Sequence, residues 1–411
     1  MLDDIFRLSR NFLKTFNKPY IRYFLQKYPL SSRFSIITGQ RGVGKTTAMI
    51  QKILSANNDD IFNKNAIYVP VDHFIVSGRS LYEIAEDFYN VGGKMICFDE
   101  IHKYAGWSSE LKSIYDSLKK LTILASGSSA MEIQRGSHDL SRRAVVYPMT
   151  GLSFREYIDL AEGIKFESLL LKTILKEHEK LSYDIIATVE GKKKKILALF
   201  KDYLQFGYFP YFTEFDDISL YHITLEQSIR TTIESDLLSI YPTLNGSSIK
   251  KIKRLLAVIA ESAPFIPDLK RIKRIVEIGD ERTLKNYLKY LEDGGVILSL
   301  TKSGSGLGAL EKPDKIYLNN PNQIYAMSSE GKENIGTIRE TFFINMLSVM
   351  HKVSMPKKGD FHVDDKYTFE IGGKNKSFKQ IKDINNSFLA IDDIEEGISN
   401  KIPLWLFGFL Y

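Results

Sequence analysis

Residues 34–47 read Phe34-Ser-Ile-Ile-Thr-Gly-Gln-Arg-Gly-Val-Gly-Lys-Thr-Thr47. Within them Gly39 to Thr46 fill every fixed position of the phosphate-binding pattern G-x-x-x-x-G-K-[ST]. Phe34 to Thr38 read as a short buried strand, and Thr46 to Leu54 place apolar residues at helical spacing. A strand, a glycine loop and a helix in that order turn backbone N–H groups and the positive end of a helix toward one point. Gly39, Gln40, Arg41, Gly42, Val43, Gly44, Lys45, Thr46 and Thr47 are therefore the expected phosphate cradle. Lys45 is expected to reach the β- and γ-phosphates, and the Thr46 hydroxyl to bind Mg²⁺.

A phosphate loop of this kind needs an acidic partner at the same sheet edge. Lys94-Met-Ile-Cys-Phe98 is an apolar run ending in Asp99-Glu100, about 55 residues after Lys45. Asp99 is expected to hold the metal shell, and Glu100 to orient and deprotonate an attacking water. Asp72 closes the run Ala66–Val71 at the same edge. Leu121 to Ala125 lead into Ser126-Gly-Ser-Ser129, which brings small hydroxyls beside the acids. Ser128, and after it Ser126, are the candidates to sense a γ-phosphate or position water. Ser141-Arg-Arg-Ala144 offers Arg142 and Arg143 as cations for a transferring phosphoryl group, in cis or from a neighbouring subunit of a homo-oligomer.

Composition sets the outer limits. The chain has 411 residues, 44% hydrophobic and 26% charged, with net charge +6. That is ordinary for a soluble globular protein of two to four domains, and the charge permits nucleic-acid contact without arguing for it. One cysteine, Cys97, excludes an internal disulfide and a zinc cluster. No apolar run approaches the roughly 18 residues of a membrane span, and the start lacks a secretory pattern. A reducing, cytoplasmic setting is expected, without a membrane partner.

The expected fold class is α/β. Residues 1–153 form a parallel-sheet core with an N-terminal helix, strands recurring at 34–38, 66–71, 95–98, 121–125 and 144–147. Residues 154–246 are expected as a helical lid, with an aromatic turn at Tyr203–Tyr211. Residues 247–330 read as a winged helix: three helices, then a hairpin from strands 296–300 and 315–318. Between Lys250 and Lys289 eleven lysines and arginines face five acids. Arg282, Lys285 and Lys289, off the apolar face of the third helix, suit phosphate contacts on duplex DNA; docking to a protein partner is the alternative. Residues 331–411 form a further α/β unit, a helix at 338–350 followed by strands near 361–363, 367–371, 387–391 and 403–410. There Glu340, Asp360 and Glu370 with a nearby lysine could hold Mg²⁺ for phosphodiester cleavage.

The stretches GQRGVGKTT (39–47), MICFDEIHK (95–103), ILASGSS (123–129) and RRAVVYPMTGLSFREY (142–157) together resemble a bacterial and archaeal family of P-loop ATPases of the AAA and signal-transducing (STAND) type. Its members carry a C-terminal domain of unknown function. The resemblance implies ATP as the nucleotide and hydrolysis at Lys45, Thr46, Asp99 and Glu100, with Arg142 or Arg143 sensing. In many relatives the tail looks like a PD-(D/E)xK nuclease, a restriction-endonuclease-like fold with a strand ending in E-x-K. Here Glu370-Ile-Gly-Gly-Lys374 puts Gly372 in the lysine's place. Moving the lysine to 374 displaces its ammonium by about 7 Å on an extended strand, so the nuclease site is expected to be degenerate. Asp360 then reads as a turn residue and Glu370 as an ion-pair partner of Lys374 or Lys376. The leading expectation is a nucleotide-driven switch or remodeller. The alternatives are an ATP-gated nuclease and a scaffold with negligible turnover. No N/T-K-x-D stretch for guanine follows the sheet.

Overall fold

A computed structural model describes residues 2–127, 140, 142–241, 243–262, 266, 268–302, 313–328 and 333–411. They group into two compact units, Met1–Gly151 with Ser235–Thr243, and Leu152–Glu234 with Leu244–Tyr411. Ser128 and Ser129 lie outside the described residues.

The first unit is built on five strands: β1 (Phe34–Thr38), β2 (Ala66–Pro70), β3 (Met95–Asp99), β4 (Thr122–Gly127) and β5 (Val145–Pro148), all parallel in the order β2-β3-β4-β1-β5. β1 and β2 are buried at every position. Such runs cannot alternate, because helices cover both faces of a parallel sheet. The helices α1 (Leu2–Phe16), α3 (Lys45–Ala56), α4 (Leu81–Asn90) and α5 (Trp107–Ser117) supply that cover, while α2 is the short Tyr23–Lys27. α1 turns Ile5, Leu8 and Leu13 inward, and its Ser9 hydroxyl accepts the Tyr68 N–H at 3.0 Å. α4 starts with a reciprocal capping box between Ser80 and Glu83. Arg22, buried, donates to the carbonyls of Val43 and Gly151 at 2.8 and 2.7 Å, pinning the phosphate loop to the chain beyond β5. Cys97 is buried within β3. Burial, then nearby Asp99, push its thiol far up, so it is an inert core residue.

The second unit opens with helices α6 (Phe154–Glu162), α7 (Leu171–Gly191), α8 (Ile196–Phe206) and α9 (Ile218–Thr231). After the short α10 (Leu237–Ile240), which belongs to the first unit, it continues through α11 (Gly246–Ser262), α12 (Leu269–Val276) and α13 (Glu281–Asp293). The antiparallel pair β6 (Ile297–Leu300) and β7 (Lys315–Leu318) follows, then α14 (Pro321–Met327). One buried amide ties these parts together. Asn322 donates to the carbonyls of Tyr203 and Leu204 at 3.0 and 2.9 Å. It accepts the Tyr208 N–H at 2.8 Å and the Tyr221 hydroxyl at 2.6 Å. A fully satisfied buried amide fixes one arrangement, since any other leaves four polar groups unpaired. The aromatic turn at 203–211 is held this way.

The last sheet follows α15 (Ile335–Leu347) and runs β12-β11-β10-β9-β8, from β8 (Val353–Ser354), β9 (Phe361–Val363), β10 (Tyr367–Gly372), β11 (Ser387–Ile391) and β12 (Lys401–Pro403). β10, β11 and β12 are parallel, whereas β8 and β9 are antiparallel additions. The strand expected over 403–410 is corrected here. It ends at Pro403, and Leu404–Phe409 winds as a 3₁₀ turn with every side chain buried. β12 is an edge strand, and an edge strand cannot cover both faces of an all-apolar run; winding the chain does.

Phe343 of α15 sits at the centre of this core, with ring centroids 5.2 Å from Phe361, 5.0 Å from Phe369 and 5.0 Å from Phe407. Replacing Phe343 with Ala removes three aromatic contacts and leaves a cavity, so urea unfolding of the second unit is expected to lose about 3–5 kcal/mol. An unchanged midpoint would mean that the sheet does not rest on this ring.

Candidate functional site

The loop between β1 and α3 is shaped by two glycines with different jobs. At Gly39 a Cβ would stand 2.2 Å from the Met149 carbonyl oxygen, so the strand end has room only for hydrogen. Gly44, the N-cap of α3, has φ of 100°, a left-handed conformation that favours glycine. The loop then passes directly into α3 at Lys45.

Lys45 is buried, and its ammonium donates to the carbonyls of Gly39 and Gln40 at 2.8 and 2.9 Å. Burial pulls its pKa below the ordinary lysine value, against the opposing charges of Glu100 and Asp99. Two neutral carbonyls are weak partners for a buried cation, and an anion entering the loop would bind it better.

Asp99 ends β3 and is the most heavily bonded side chain of the site. Its Oδ2 accepts from the Thr46 hydroxyl at 2.7 Å and the Tyr68 hydroxyl at 2.5 Å. Its Oδ1 accepts from the Ser126 hydroxyl, and from the Glu100 N–H at 3.1 Å. Burial, then the charge of Asp99, push the Tyr68 phenol far up, so it remains an O–H donor. Ser126, a candidate phosphate sensor, is buried against Asp99, and its oxygen also accepts the Glu100 N–H at 3.2 Å.

Glu100 has φ of 55° and ψ of 40°. Neighbours on a strand point to opposite faces, and this left-handed residue breaks the alternation. Its Oε2 is buried without a hydrogen bond, 3.6 Å from His102 Nε2 and 3.9 Å from the Lys103 ammonium. Asp72 pairs with Lys103 at 2.5 Å. Sequence reasoning missed Asp236. It lies at the start of the Ser235–Thr243 segment, buried, and accepts Arg41 at 3.0 and 3.3 Å. No spacing links residue 236 to a loop at residue 41, so only the folded chain could reveal it.

Arg143 donates from Nε and a terminal nitrogen to Asp116 at 3.0 and 2.9 Å. Arg143 holds the Asp116 carboxyl below its usual value, by hydrogen bond and then by charge, and burial only partly opposes it. In this arrangement Arg143 serves α5. In the second unit, Lys285 pairs with Glu281 at 3.1 Å, Lys253 with Glu234, and Arg254 with Glu277 at 2.9 Å. Part of the expected basic stripe is therefore paired within the chain, although exposed pairs exchange readily for phosphate.

Thr46 and Asp99 are oxygen donors of the kind that Mg²⁺ takes. Among the described residues no three acidic, histidine or cysteine side chains form a metal group.

The tail also holds an acidic cluster. Glu340 accepts Tyr317 at 2.7 Å and Lys315 at 3.2 Å, and Asp360 lies 3.9 Å from Lys315 while accepting the Ile371 N–H at 2.8 Å. Glu370 is buried and pairs with Lys376 at 2.5 Å. Of the two lysines expected to pair with Glu370, Lys376 is the one that does. A Cβ on Gly372 would fall 2.6 Å from the Lys376 stem. Lys376 runs through the space that a side chain at 372 would fill. The turn closed by Lys376 N–H on the Gly373 carbonyl, 2.9 Å, brings it back.

Residues 31–158 match the model of the AAA domain family, and residues 197–333 match a domain of unknown function. Two uncharacterised proteins of Methanocaldococcus jannaschii are similar. One is 26% identical over 312 residues, 74% of this chain and 64% of that protein; the other is 23% identical over 369 residues, 86% and 75%. The chain thus spans just under two thirds of the length of the first relative. Among solved structures, the Walker-type ATPase of Pyrococcus abyssi aligns over 74% of this chain and 93% of its own, at TM-score 0.37 and 12% identity. No helix among the described residues is long and apolar enough to cross a membrane. The strand order and the phosphate loop agree with the family match: residues 31–158 form a P-loop domain similar to the AAA domain family.

Proposed function

We propose that the first unit binds Mg-ATP at Gly39–Thr47 and hydrolyses it, and that the bound nucleotide acts as a switch on the rest of the chain. One observation carries the reading. Lys45, Thr46, Asp99 and Glu100 converge at the C-terminal ends of β1 and β3, with the Lys45 cation on exchangeable carbonyls and the Glu100 oxygen buried without a hydrogen bond. Lys45 would transfer its ammonium from the carbonyls of Gly39 and Gln40 to the β- and γ-phosphates. Mg²⁺, when bound by Thr46 and Asp99, supplies neutralisation of phosphate charge. Tyr68 and Ser126 hold the Asp99 side chain in place by hydrogen bonds. Glu100 would take the proton from the attacking water at Oε2. We read residues 154–246 as the lid, 247–330 as a winged helix and 331–411 as the nuclease-like domain, with a homo-oligomer and a DNA or protein partner as what the switch acts on.

A second reading, an ATP-gated nuclease, is favoured by Lys376, which returns a cation to Glu370 across Gly372. Against it, burial holds Glu340 and Glu370 above the ordinary carboxylate range despite Lys315 and Lys376. These acids form ion pairs, and among the described residues no three share a cation site. We therefore assign them to packing.

Lys45→Ala is expected to weaken Mg-ATP binding about ten- to a hundredfold in calorimetry, the worth of one charge-assisted contact. Equal affinity would remove the phosphate-loop assignment. Glu100→Gln is expected to keep ATP bound while turnover falls about 10²–10⁴-fold; unchanged turnover would leave a scaffold. Incubated with plasmid or single-stranded DNA, Mn²⁺ and ATP, the protein is expected to leave the DNA intact. Cleavage that disappears in Asp360→Ala/Glu370→Ala and in Lys376→Ala would establish the nuclease.

A further inference from the structure

One buried acid of the first unit has no part in the assignments above. Asp236 receives Arg41 of the phosphate loop at 3.0 Å and faces His102 Nε2 at 4.0 Å. The same His102 nitrogen stands 3.6 Å from Glu100 Oε2. The side chains of Asp236 and His102 are 3% and 0% exposed, so neither can exchange these neighbours for water. A line of polar groups, Arg41–Asp236–His102–Glu100, therefore joins the loop that would hold phosphate to the acid that would activate water. Burial opposes charge on Asp236, yet His102 and Arg41 hold its carboxyl below the ordinary value, so it is a carboxylate. Removing one partner from a buried ionic group disturbs its other partners strongly.

The chain path gives this acid a second property. Asp236 closes the π-helical turn Thr232–Asp236, a rare conformation that recurs at functional sites. The turn lies where the chain leaves the second unit and enters the first. Leu237, Ile240 and Tyr241, all buried, then anchor the segment, and α10 packs on the turn Ile101–Lys103 that carries His102. The segment ends at Thr243, where the chain returns to the second unit.

We propose that Asp236 is a positioning residue for nucleotide hydrolysis: it fixes Arg41 and, through His102, the side chain of Glu100. The seating of Ser235–Thr243 then decides whether loop and base are in register. Both ends of this segment are covalently continuous with the second unit, so displacement of either end is delivered to the carboxylate that orients the base. A nucleotide that draws on Arg41 acts on the same bond from the other side, and such coupling is reciprocal. The proposal rests on the reading of Glu100 as the base.

The test compares full-length wild type with Asp236→Asn, His102→Gln, Arg41→Ala, Glu100→Gln and the double variant Arg41→Ala/Asp236→Asn. Mg-ATP affinity is read by calorimetry, and kcat and KM by phosphate release. Asp236→Asn is expected to keep Kd within about threefold while kcat falls roughly ten- to a hundredfold. Arg41→Ala should add little to that loss, because both changes break one linkage. A folded Asp236→Asn or His102→Gln protein with wild-type kcat and KM overturns the proposal, provided that Glu100→Gln is inactive. Parallel loss of Kd, kcat and melting temperature in Asp236→Asn also overturns it, in favour of a packing role. Wild-type turnover by Glu100→Gln instead overturns the reading of the base. If Asp236→Asn does not fold, His102→Gln decides: lost kcat with intact Kd supports positioning, and unchanged kcat refutes it.

Discussion

The carboxylate of Asp99 is the constraint on which the nucleotide unit depends. It is 2% exposed, and an anion so far from water is tolerable only when donors surround it. Those donors come from different parts of the chain: Thr46 from the first turn of α3, Tyr68 from β2, Ser126 from β4, and the Glu100 N–H from its own strand end. Satisfying one buried charge therefore fixes the start of α3 against three strands. The phosphate loop inherits its place from that bond set, since Lys45 and Thr46 open the helix that Asp99 holds.

The same carboxylate explains how two adjacent acids serve one edge. On a regular strand Asp99 and Glu100 would face opposite ways. Glu100 escapes by taking a left-handed conformation, which costs a non-glycine residue roughly 1–2 kcal/mol. Its N–H meets both Asp99 Oδ1 and the Ser126 hydroxyl, so the strained geometry is the one in which the support of Asp99 is complete. Backbone strain at this position is a consequence of gathering both acids.

The parallel sheet was legible in the chain because its strands are buried on both faces and so read as unbroken apolar runs. β1, β2 and β3 fall within a residue or so of Phe34–Thr38, Ala66–Val71 and Met95–Phe98. The same kind of run misleads at Leu404–Phe409, where an edge position forces a 3₁₀ turn. Local spacing also pointed to Lys45, Thr46, Asp99 and Glu100, since a strand and the loop after it keep chemistry close in sequence. Asp236 is different: it reaches Arg41 only through the fold, and no periodicity encodes that contact. The pair of Glu370 with Lys376 was legible as one of two alternatives, because both lysines follow within six residues.

The two lysine-containing centres differ in what a ligand must displace. Lys45 rests on two backbone carbonyls, each a neutral acceptor whose net worth is about 1 kcal/mol. A phosphate offers charged oxygens in exchange, so binding improves the lysine's surroundings. Lys376 instead lies against a buried carboxylate, and Lys315 lies near two others. A cation entering there must first part these lysine–carboxylate pairs. Burial already disfavours the ionised forms of Glu340 and Glu370, and the lysines beside them oppose it. Similar residue types thus leave one lysine on exchangeable carbonyls at the end of β1 and others on carboxylates beside β10.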